Sequence, residues 1–307
     1  MAVTKTEFTY TSSVGDLEIR AVKWIPENAK AIFNITHGMA EYIDRYEGFA
    51  EFLAENGYAV YGHDHIGHGK SISDKYKPGY FGDKNVEGTV FVDDNKLIVD
   101  IAKEENPGLP VFFFGHSMGS FVARKYIALY GEELKGAIVC GTGGPNPAAG
   151  VAILLASLIG KFKGLESDGT FINNVAFGSY NKMTDKRTGF DWLTKDEAIV
   201  DKYIDDPLCG FLFSNQGFKD MLGMLKFVNS ADCYASTSKE LPILLIAGAE
   251  DPVGEYGKGV EKVCEAYKAN GNPVECKLYE GDRHEILNEF DKETVMNDIL
   301  AWLDKNV

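Results

Sequence analysis

Residues 111–120 read VFFFGHSMGS, and this stretch decides the fold. The apolar run over residues 111–114 predicts a strand buried on both faces, which ends at Gly115. Residues 120–130 then carry apolar side chains at helical spacing. The stretch therefore predicts a strand, a tight turn and a helix in direct succession.

Ser117 lies on this turn, with Gly115 and Gly119 two residues before and two residues after it. A close crossing of strand and helix leaves room only for small residues at those positions, so the pattern Gly-x-Ser-x-Gly predicts a nucleophile elbow. The turn presents the Ser117 hydroxyl above the sheet edge. The N–H of Met118, at the start of the helix, points to where an oxyanion would form. The alternative interpretation is an ordinary glycine-rich turn.

The composition is that of an ordinary globular protein. The chain has 307 residues, of which 45% are hydrophobic and 25% charged, and its formal net charge is −15. Such a charge argues against nucleic acid as a partner, because phosphates would be repelled. We expect no secretory signal near Met1 and no membrane-spanning segment. The five cysteines show no metal-ligand spacing and are odd in number, which favours a reduced, cytoplasmic compartment.

Further strands and helices surround the elbow. An antiparallel hairpin is expected over residues 8–12 and 17–24, at one edge of the sheet. Buried strands are expected at residues 31–35, 58–61, 136–140, 242–248 and 274–279, and helices at residues 46–56, 86–105 and 288–305. Residues 143–236 contain helical stretches and turns but no convincing strand. We therefore expect one mostly parallel sheet with helices on both faces, split into residues 1–142 and 237–307 by a helical cap at residues 143–236.

A serine nucleophile needs a histidine base, and the histidine needs a carboxylate to fix its tautomer. Asp251 and His284 each follow a strand after the cap, and the order Ser, Asp, His is the one that elbow hydrolases use. Glu250 and Asp282 are competing carboxylates, and we expect Asp282 to face solvent. His116 should point away from Ser117, which leaves His284 as the base.

Residues 63–68 contain three histidines and an aspartate, which raises the question of a metal site. Their spacing does not match a metal-binding motif, and one of the other three histidines is needed as the base. We therefore expect neither a metal nor an organic cofactor, and interpret residues 62–71 as a tight loop under the site.

The chain resembles the monoacylglycerol lipase and lysophospholipase branch of the α/β-hydrolase superfamily. The resemblance rests on residues 37–46 (HGMAEYIDRY), residues 63–71 (HDHIGHGKS) and residues 115–119 (GHSMG), together with Asp251 and His284. It implies that the N–H of Met39 is the second oxyanion donor. It also implies that Glu41 and Arg45 brace the oxyanion loop and border the headgroup pocket; the alternative is a solvent-exposed ion pair.

In the expected cap, residues 151–159 are apolar nearly all round. A helix without a polar face is buried or meets an apolar partner. Leu154 is our candidate contact, either in an acyl-chain tunnel or with micelles and membranes; equally, the helix simply packs the cap onto the core. The sequence does not indicate an oligomeric state.

The resemblance implies a serine carboxylester hydrolase acting on a small lipid ester, monoacylglycerol or lysophospholipid, through an acyl-enzyme on Ser117. The alternatives are an aminopeptidase or amidase, a general short-chain esterase, and a non-enzymatic binding module. Peptidases with a similar cap usually carry a His-Gly-Gly-Pro oxyanion loop, whereas this chain has His-Gly-Met-Ala at residues 37–40. The loop favours esters, and the three intact triad residues argue against a binding module.

Overall fold

A computed structural model describes residues 2–307, over which one eight-stranded sheet runs through the molecule. Its strands are β1 (Val3–Thr11), β2 (Glu18–Pro26), β3 (Ala31–Thr36), β4 (Tyr58–His63), β5 (Val111–His116), β6 (Gly136–Cys140), β7 (Ile243–Gly248) and β8 (Val274–Tyr279). They lie in the order β1-β2-β4-β3-β5-β6-β7-β8. The first two strands form an antiparallel hairpin at one edge, β2 pairs antiparallel with β4, and the remaining neighbours are parallel. The expected α/β-hydrolase fold is confirmed.

Ten α-helices accompany the sheet in the described part of the chain. They are α1 (Glu47–Glu55), α2 (Thr89–Glu105), α3 (Met118–Tyr130), α4 (Ala149–Lys163), α5 (Thr170–Phe177), α6 (Glu197–Asp205), α7 (Asn215–Val228), α8 (Ala231–Ser236), α9 (Lys258–Asn270) and α10 (Lys292–Asn306). Helices α1 and α10 cover one face of the central strands, while α2 and α3 cover the other. Both faces of β5 are therefore buried, as its apolar sequence requires.

Two helices begin later than the sequence pattern predicts. We expected a helix from residue 86, but α2 begins at Thr89, because Glu87 and Gly88 both have positive φ angles of 52° and 73°. We expected the last helix from residue 288, but residues 286–288 form a separate 3₁₀ turn before α10. Hydrophobic periodicity continued through both junctions, so it could not show where the backbone changes direction.

Helices α4 to α8 lie between β6 and β7. Helix α4 packs against α7 through a face of small residues, Ala149, Ala152, Ala156 and Gly160. This close packing turns large apolar side chains outward, including Leu154, which is 59% exposed. No helix in residues 2–307 is both long and apolar enough to cross a bilayer.

Arg124 on α3 forms hydrogen bonds with both the beginning of the segment between β6 and β7 and the end of α7. Its guanidinium donates to the carbonyl oxygen of Gly143, just after β6, and to the carbonyl oxygen of Val228, at the end of α7. It also donates to the Asn229 side chain and the Tyr234 hydroxyl, and it is fully buried. All of its hydrogen-bond partners are neutral, so the charge is stabilised by hydrogen bonds rather than by a carboxylate.

Candidate active site

The turn between β5 and α3 is strained at Ser117, whose φ and ψ angles are 55° and −120°. The strand and helix cross so closely that a Cβ on Gly115 would clash with the Gly119 carbonyl group. A Cβ on Gly119 would clash with the carbonyl oxygens of Thr36 and His37. A residue with a side chain adopts such a positive φ at a cost of about 1–3 kcal/mol. Ser117 is held in this conformation by the packing of its two glycine neighbours.

The predicted acid and base lie together. His284 Nδ1 is 2.9 Å from Asp251 Oδ2, and both side chains are buried. The other carboxylate oxygen of Asp251 accepts the N–H of Val253 at 2.8 Å. An ionised carboxylate is only an acceptor, so Nδ1 carries the proton in this pair and Nε2 is left free to act as a base.

Ser117 and His284 both lie beside the end of β6, at the carboxyl edge of the sheet. The Ser117 N–H donates to the Cys140 carbonyl oxygen at 3.0 Å, and a Cβ on the next residue, Gly141, would lie 3.2 Å from His284 Cε1. Within residues 2–307, no hydrogen bond joins the Ser117 hydroxyl to the imidazole. Such bonds are often long in the absence of substrate and shorten in the reacting complex.

Two backbone amides are available as oxyanion donors beside Ser117. The Gly38 N–H is already engaged, because it donates to Glu41 Oε1 at 2.6 Å. The amides of Met39 and Met118 have no hydrogen-bond partner in the described chain, and Met118 is the first residue of α3. The arrangement leaves free the two N–H groups that the sequence singled out.

Glu41 and Arg45 form a buried ion pair, so the alternative interpretation as a solvent-exposed pair is wrong. Arg45 contacts Glu41 on one side and makes a two-pronged contact with Glu285 on the other, with both N–O distances 2.7 Å. Although burial alone would raise them, the Arg45 charge holds the pKa values of Glu41 and Glu285 below the ordinary value. This network connects the oxyanion loop to the residue that follows His284.

His116 completes the network, and its hydrogen-bond partners call for a proton on each ring nitrogen. Its Nε2–H donates to the His284 carbonyl oxygen at 3.2 Å, and its Nδ1 lies 2.9 Å from the Tyr46 hydroxyl. Tyr46 donates its only proton to Glu41, so His116 Nδ1 must donate as well. Burial opposes this, but the neighbouring Glu41 carboxylate raises the pKa of His116 above its ordinary value. His116 contacts the backbone of His284, and its side chain is turned into this network.

The competing carboxylates lie elsewhere. Glu250 is exposed and pairs with Lys195 at 3.4 Å. The expectation that Asp282 faces solvent is wrong, since its side chain is only 6% exposed. Burial, with Asp291 and Glu289 close by, raises the pKa of Asp282 to about 7. The Asp282 carbonyl oxygen accepts the Glu250 N–H at 2.8 Å, so the loop that holds Asp282 lies against the loop that holds Asp251.

The histidines of residues 63–68 are structural in this fold. His63 Nδ1 contacts the Tyr10 hydroxyl at 3.1 Å, and its Nε2 contacts His65 Nδ1 at 3.1 Å. Burial lowers the pKa of His63 to about 3, and it lowers the pKa of His65 and His68 as well. Among residues 2–307, no three His, Cys, Asp or Glu side chains are arranged to hold a metal ion.

The predicted pocket residues lie in two different places. Glu41 and Arg45 line a cavity of about 220 Å³ between α1 and the start of α10, and Ser117 is not part of its lining. Leu154 lies on the outer face of α4. Two residues of this region were not predicted from the sequence. Glu285 directly follows His284, and the Trp192 ring centroid lies 5.0 Å from that of His284. Trp192 belongs to a segment without a recognisable motif, so no sequence signal indicated it.

Residues 27–291 match the protein family described as serine aminopeptidase, S33. The chain belongs to this family. Among solved structures, this S33 member is similar to a highly thermostable carboxyl esterase from Bacillus coagulans in complex with glycerol. The two are 32% identical, the similarity covers 99% of each chain, and the TM-score is 0.92.

Curated relatives of this S33 member include lipases. The monoacylglycerol lipase of Mycolicibacterium smegmatis is 27% identical over 307 residues, covering 98% of this chain and 97% of the relative. The monoglyceride lipase of Homo sapiens is 27% identical over 290 residues, covering 92% and 85%. Family, fold and relatives together identify a carboxylic ester hydrolase of the α/β-hydrolase fold.

Proposed function

We propose that this protein hydrolyses esters of single-chain lipids, monoacylglycerols or lysophospholipids, through an acyl-enzyme on Ser117. The observation that carries the proposal is the buried Asp251–His284 pair at the same sheet edge as the strained Ser117 turn. Relatives named as monoacylglycerol lipases, similar over nearly the whole chain, support the substrate class.

In the proposed mechanism, the Ser117 oxygen attacks the ester carbonyl carbon while His284 Nε2 takes the hydroxyl proton. The Met39 and Met118 amides stabilise the negative oxygen of the tetrahedral intermediate. The C–O bond to the alcohol then breaks, and His284 returns its proton to the leaving alcohol. Water attacks the acyl-enzyme in the same way, which releases the fatty acid and restores Ser117. Asp251 keeps His284 oriented and stabilises its charged form.

We propose that residues 143–236 act as a cap that supplies the lipid contacts. Helix α4 exposes Val151, Leu154, Leu158 and Phe162, while Lys161 and Lys163 lie in its last turn. Exposed apolar side chains rimmed by cations fit a lipid chain or a micelle surface better than water. The exposure of Leu154 supports contact at the surface more than a place in a closed tunnel.

The family description keeps an aminopeptidase or amidase as the second candidate. A peptidase must hold a charged N-terminal amine, which calls for a carboxylate close to the nucleophile. Glu41 and Glu285 are the acidic side chains of the network behind the oxyanion loop, and both are already paired with Arg45. The pairing favours esters, which need no charged partner.

The deciding experiment is fatty-acid release from monoacylglycerols of increasing chain length, and from lysophosphatidylcholine, with Ser117→Ala as the blank. We expect Ser117-dependent turnover of medium or long monoacylglycerols. Turnover of aminoacyl amides alone would contradict the proposal and favour the peptidase. Turnover confined to short activated esters would agree with ester hydrolysis through Ser117 but would contradict the lipid substrate.

Replacing the exposed Leu154 by glutamate tests the cap. We expect Leu154→Glu to lower kcat/KM for long-chain monoacylglycerols by roughly 10- to 100-fold and to leave short-chain esters unchanged, because one lost leucine contact costs about 1.5–3 kcal/mol. Leu129→Glu is the matched control, since Leu129 is 54% exposed at the end of α3, outside residues 143–236. Equal effects of Leu154→Glu on long and short chains would contradict a lipid-binding role.

A further inference from the structure

Ala40, which directly follows the oxyanion candidate Met39, has an unusual backbone conformation. Its φ angle is 52°, in the left-handed region that residues with a Cβ rarely adopt, and its side chain is buried. Holding a non-glycine residue there costs about 1–3 kcal/mol, so the conformation persists only where other contacts impose it. If Ala40 relaxed, the Met39–Ala40 peptide unit would turn relative to Glu41, and the loop that carries the Met39 N–H would change shape.

Two hydrogen bonds to Ala40 come from the segment between β6 and β7. The Ala40 carbonyl oxygen accepts the N–H of Gly210 at 2.9 Å and the hydroxyl of Tyr203 at 3.1 Å. Tyr203 lies on α6, and Gly210 lies in the loop that follows it. Both are about 165 residues away along the chain, so these bonds exist only when the insertion is docked.

The Tyr203 ring is itself held in place. It is buried, its centroid lies 4.9 Å from the Arg45 guanidinium carbon, and the Phe190 ring packs against it at 5.1 Å. The Tyr42 hydroxyl adds a second link from the oxyanion loop to the insertion, to Asp206 at 2.8 Å. The hydroxyl of Tyr203 is therefore presented to the Ala40 carbonyl oxygen by a side chain with little freedom of its own.

We propose that Tyr203 is a positioning residue that holds Ala40 in its left-handed conformation and thereby aims the Met39 N–H at the oxyanion. The inference rests on the proposed function, because it takes Met39 as an oxyanion donor. Docking of residues 203–210 then completes the oxyanion hole. Without these bonds, we expect Ala40 to populate relaxed conformations in which the loop that carries the Met39 N–H has a different shape.

The variant Tyr203→Phe removes the hydroxyl and keeps the ring. We expect kcat for a medium-chain monoacylglycerol to fall roughly tenfold, less than the 10²–10³-fold loss of an oxyanion donor itself, with KM within twofold of wild type. The rate constant for Ser117 phosphonylation by a fluorophosphonate probe should fall by the same factor, since its P=O oxygen occupies the same site. Tyr126→Phe is the matched control, because its buried hydroxyl bonds Glu133 at 2.6 Å on the core side of α3.

Rescue separates positioning from general damage to the fold. Glycine adopts a φ of 52° without steric cost, so Ala40→Gly in the Tyr203→Phe background should restore most of the lost kcat and labelling rate. A purely structural role of Tyr203 would give no such recovery, because a glycine adds flexibility and removes contacts. Thermal midpoints of all variants, measured in parallel, establish that each one folds.

The outcomes distinguish this inference from the proposed function. If wild-type turnover and probe labelling do not depend on Ser117, the proposed function fails and the inference with it. If they depend on Ser117 but Tyr203→Phe keeps kcat within twofold of wild type, only the positioning role is overturned. It is also overturned if the double variant is no faster than Tyr203→Phe, or if Tyr126→Phe loses as much activity.

Discussion

Under the proposed function, replacing Ser117 by alanine is expected to lower kcat for monoacylglycerol hydrolysis by roughly four orders of magnitude or more, because the proposed nucleophile and its proton transfer to His284 are both lost. The residual rate would come from water attack assisted by the oxyanion donors. Fatty-acid release measured with purified protein gives this ratio directly. Ser238→Ala, in the loop before β7, is the matched control and should retain wild-type turnover.

The stability of the Ser117 variants provides an independent check. Alanine keeps a Cβ at a φ of 55°, so Ser117→Ala should unfold at nearly the wild-type temperature. Ser117→Gly removes the strain and should raise the melting temperature, since strain at a functional turn is relieved by glycine. A Ser117→Ala protein that hydrolysed esters at more than a few per cent of the wild-type rate would refute the nucleophile assignment.

Replacing Arg45 by methionine is expected to reduce the free energy of unfolding by about 3–5 kcal/mol at pH 8, because it leaves Glu285 buried without its cationic partner and Glu41 with only His116 beside it. Both carboxylates are less than 6% exposed, so water cannot compensate. Urea unfolding of the purified variant measures the loss. The double variant Arg45→Met/Glu285→Gln removes the Glu285 charge that has lost its partner and should recover part of the lost stability.

The stability of Arg45→Met should fall as the pH rises, opposite to the contribution that these carboxylates make in the wild type. In the wild type the pKa values of Glu41 and Glu285 are lowered, so their contribution to stability is present above the unfolded value of about 4.3 and is lost as pH falls through the folded values. Without Arg45, burial raises the pKa of Glu285, while His116 still opposes such a rise at Glu41. The destabilisation should then be smaller at pH 5 than at pH 8. An equal loss at both pH values, or a loss below about 1 kcal/mol, would contradict the buried network.

Ser117, Asp251 and His284 could be predicted from the sequence because each is marked by a short pattern of neighbouring residues. Ser117 is identified by two glycines and by the change from strand to helix around it, and both are encoded within ten residues. Asp251 and His284 follow predicted strands, and parallel strands bring their carboxyl ends to one edge of the sheet. The structure places these two side chains in contact, while their catalytic roles remain predictions.

The remaining features depend on contacts between distant parts of the chain. Tyr203 bonds a carbonyl oxygen 163 residues away, and Glu285 bonds Arg45 across 240 residues, so neither leaves a periodic signal. The burial of Asp282 follows from the docking of its loop against Glu250, which a single loop sequence does not reveal. The outward orientation of Leu154 depends on the small residues that α4 turns toward α7, and hydrophobic periodicity alone did not separate the two faces.

The contacts of Arg124 affect how the segment between β6 and β7 can change in evolution. Because one guanidinium binds carbonyl oxygens just after β6 and at the end of α7, the inserted chain departs and returns at neighbouring points. Strands β6 and β7 pair directly with each other, so the length of the excursion between them does not alter the sheet. Lengthening a loop whose ends already meet costs little free energy. Insertions and exchanges in this segment can therefore accumulate over evolution while the Ser117 turn remains unchanged, and under the proposed cap role they would alter the range of substrates.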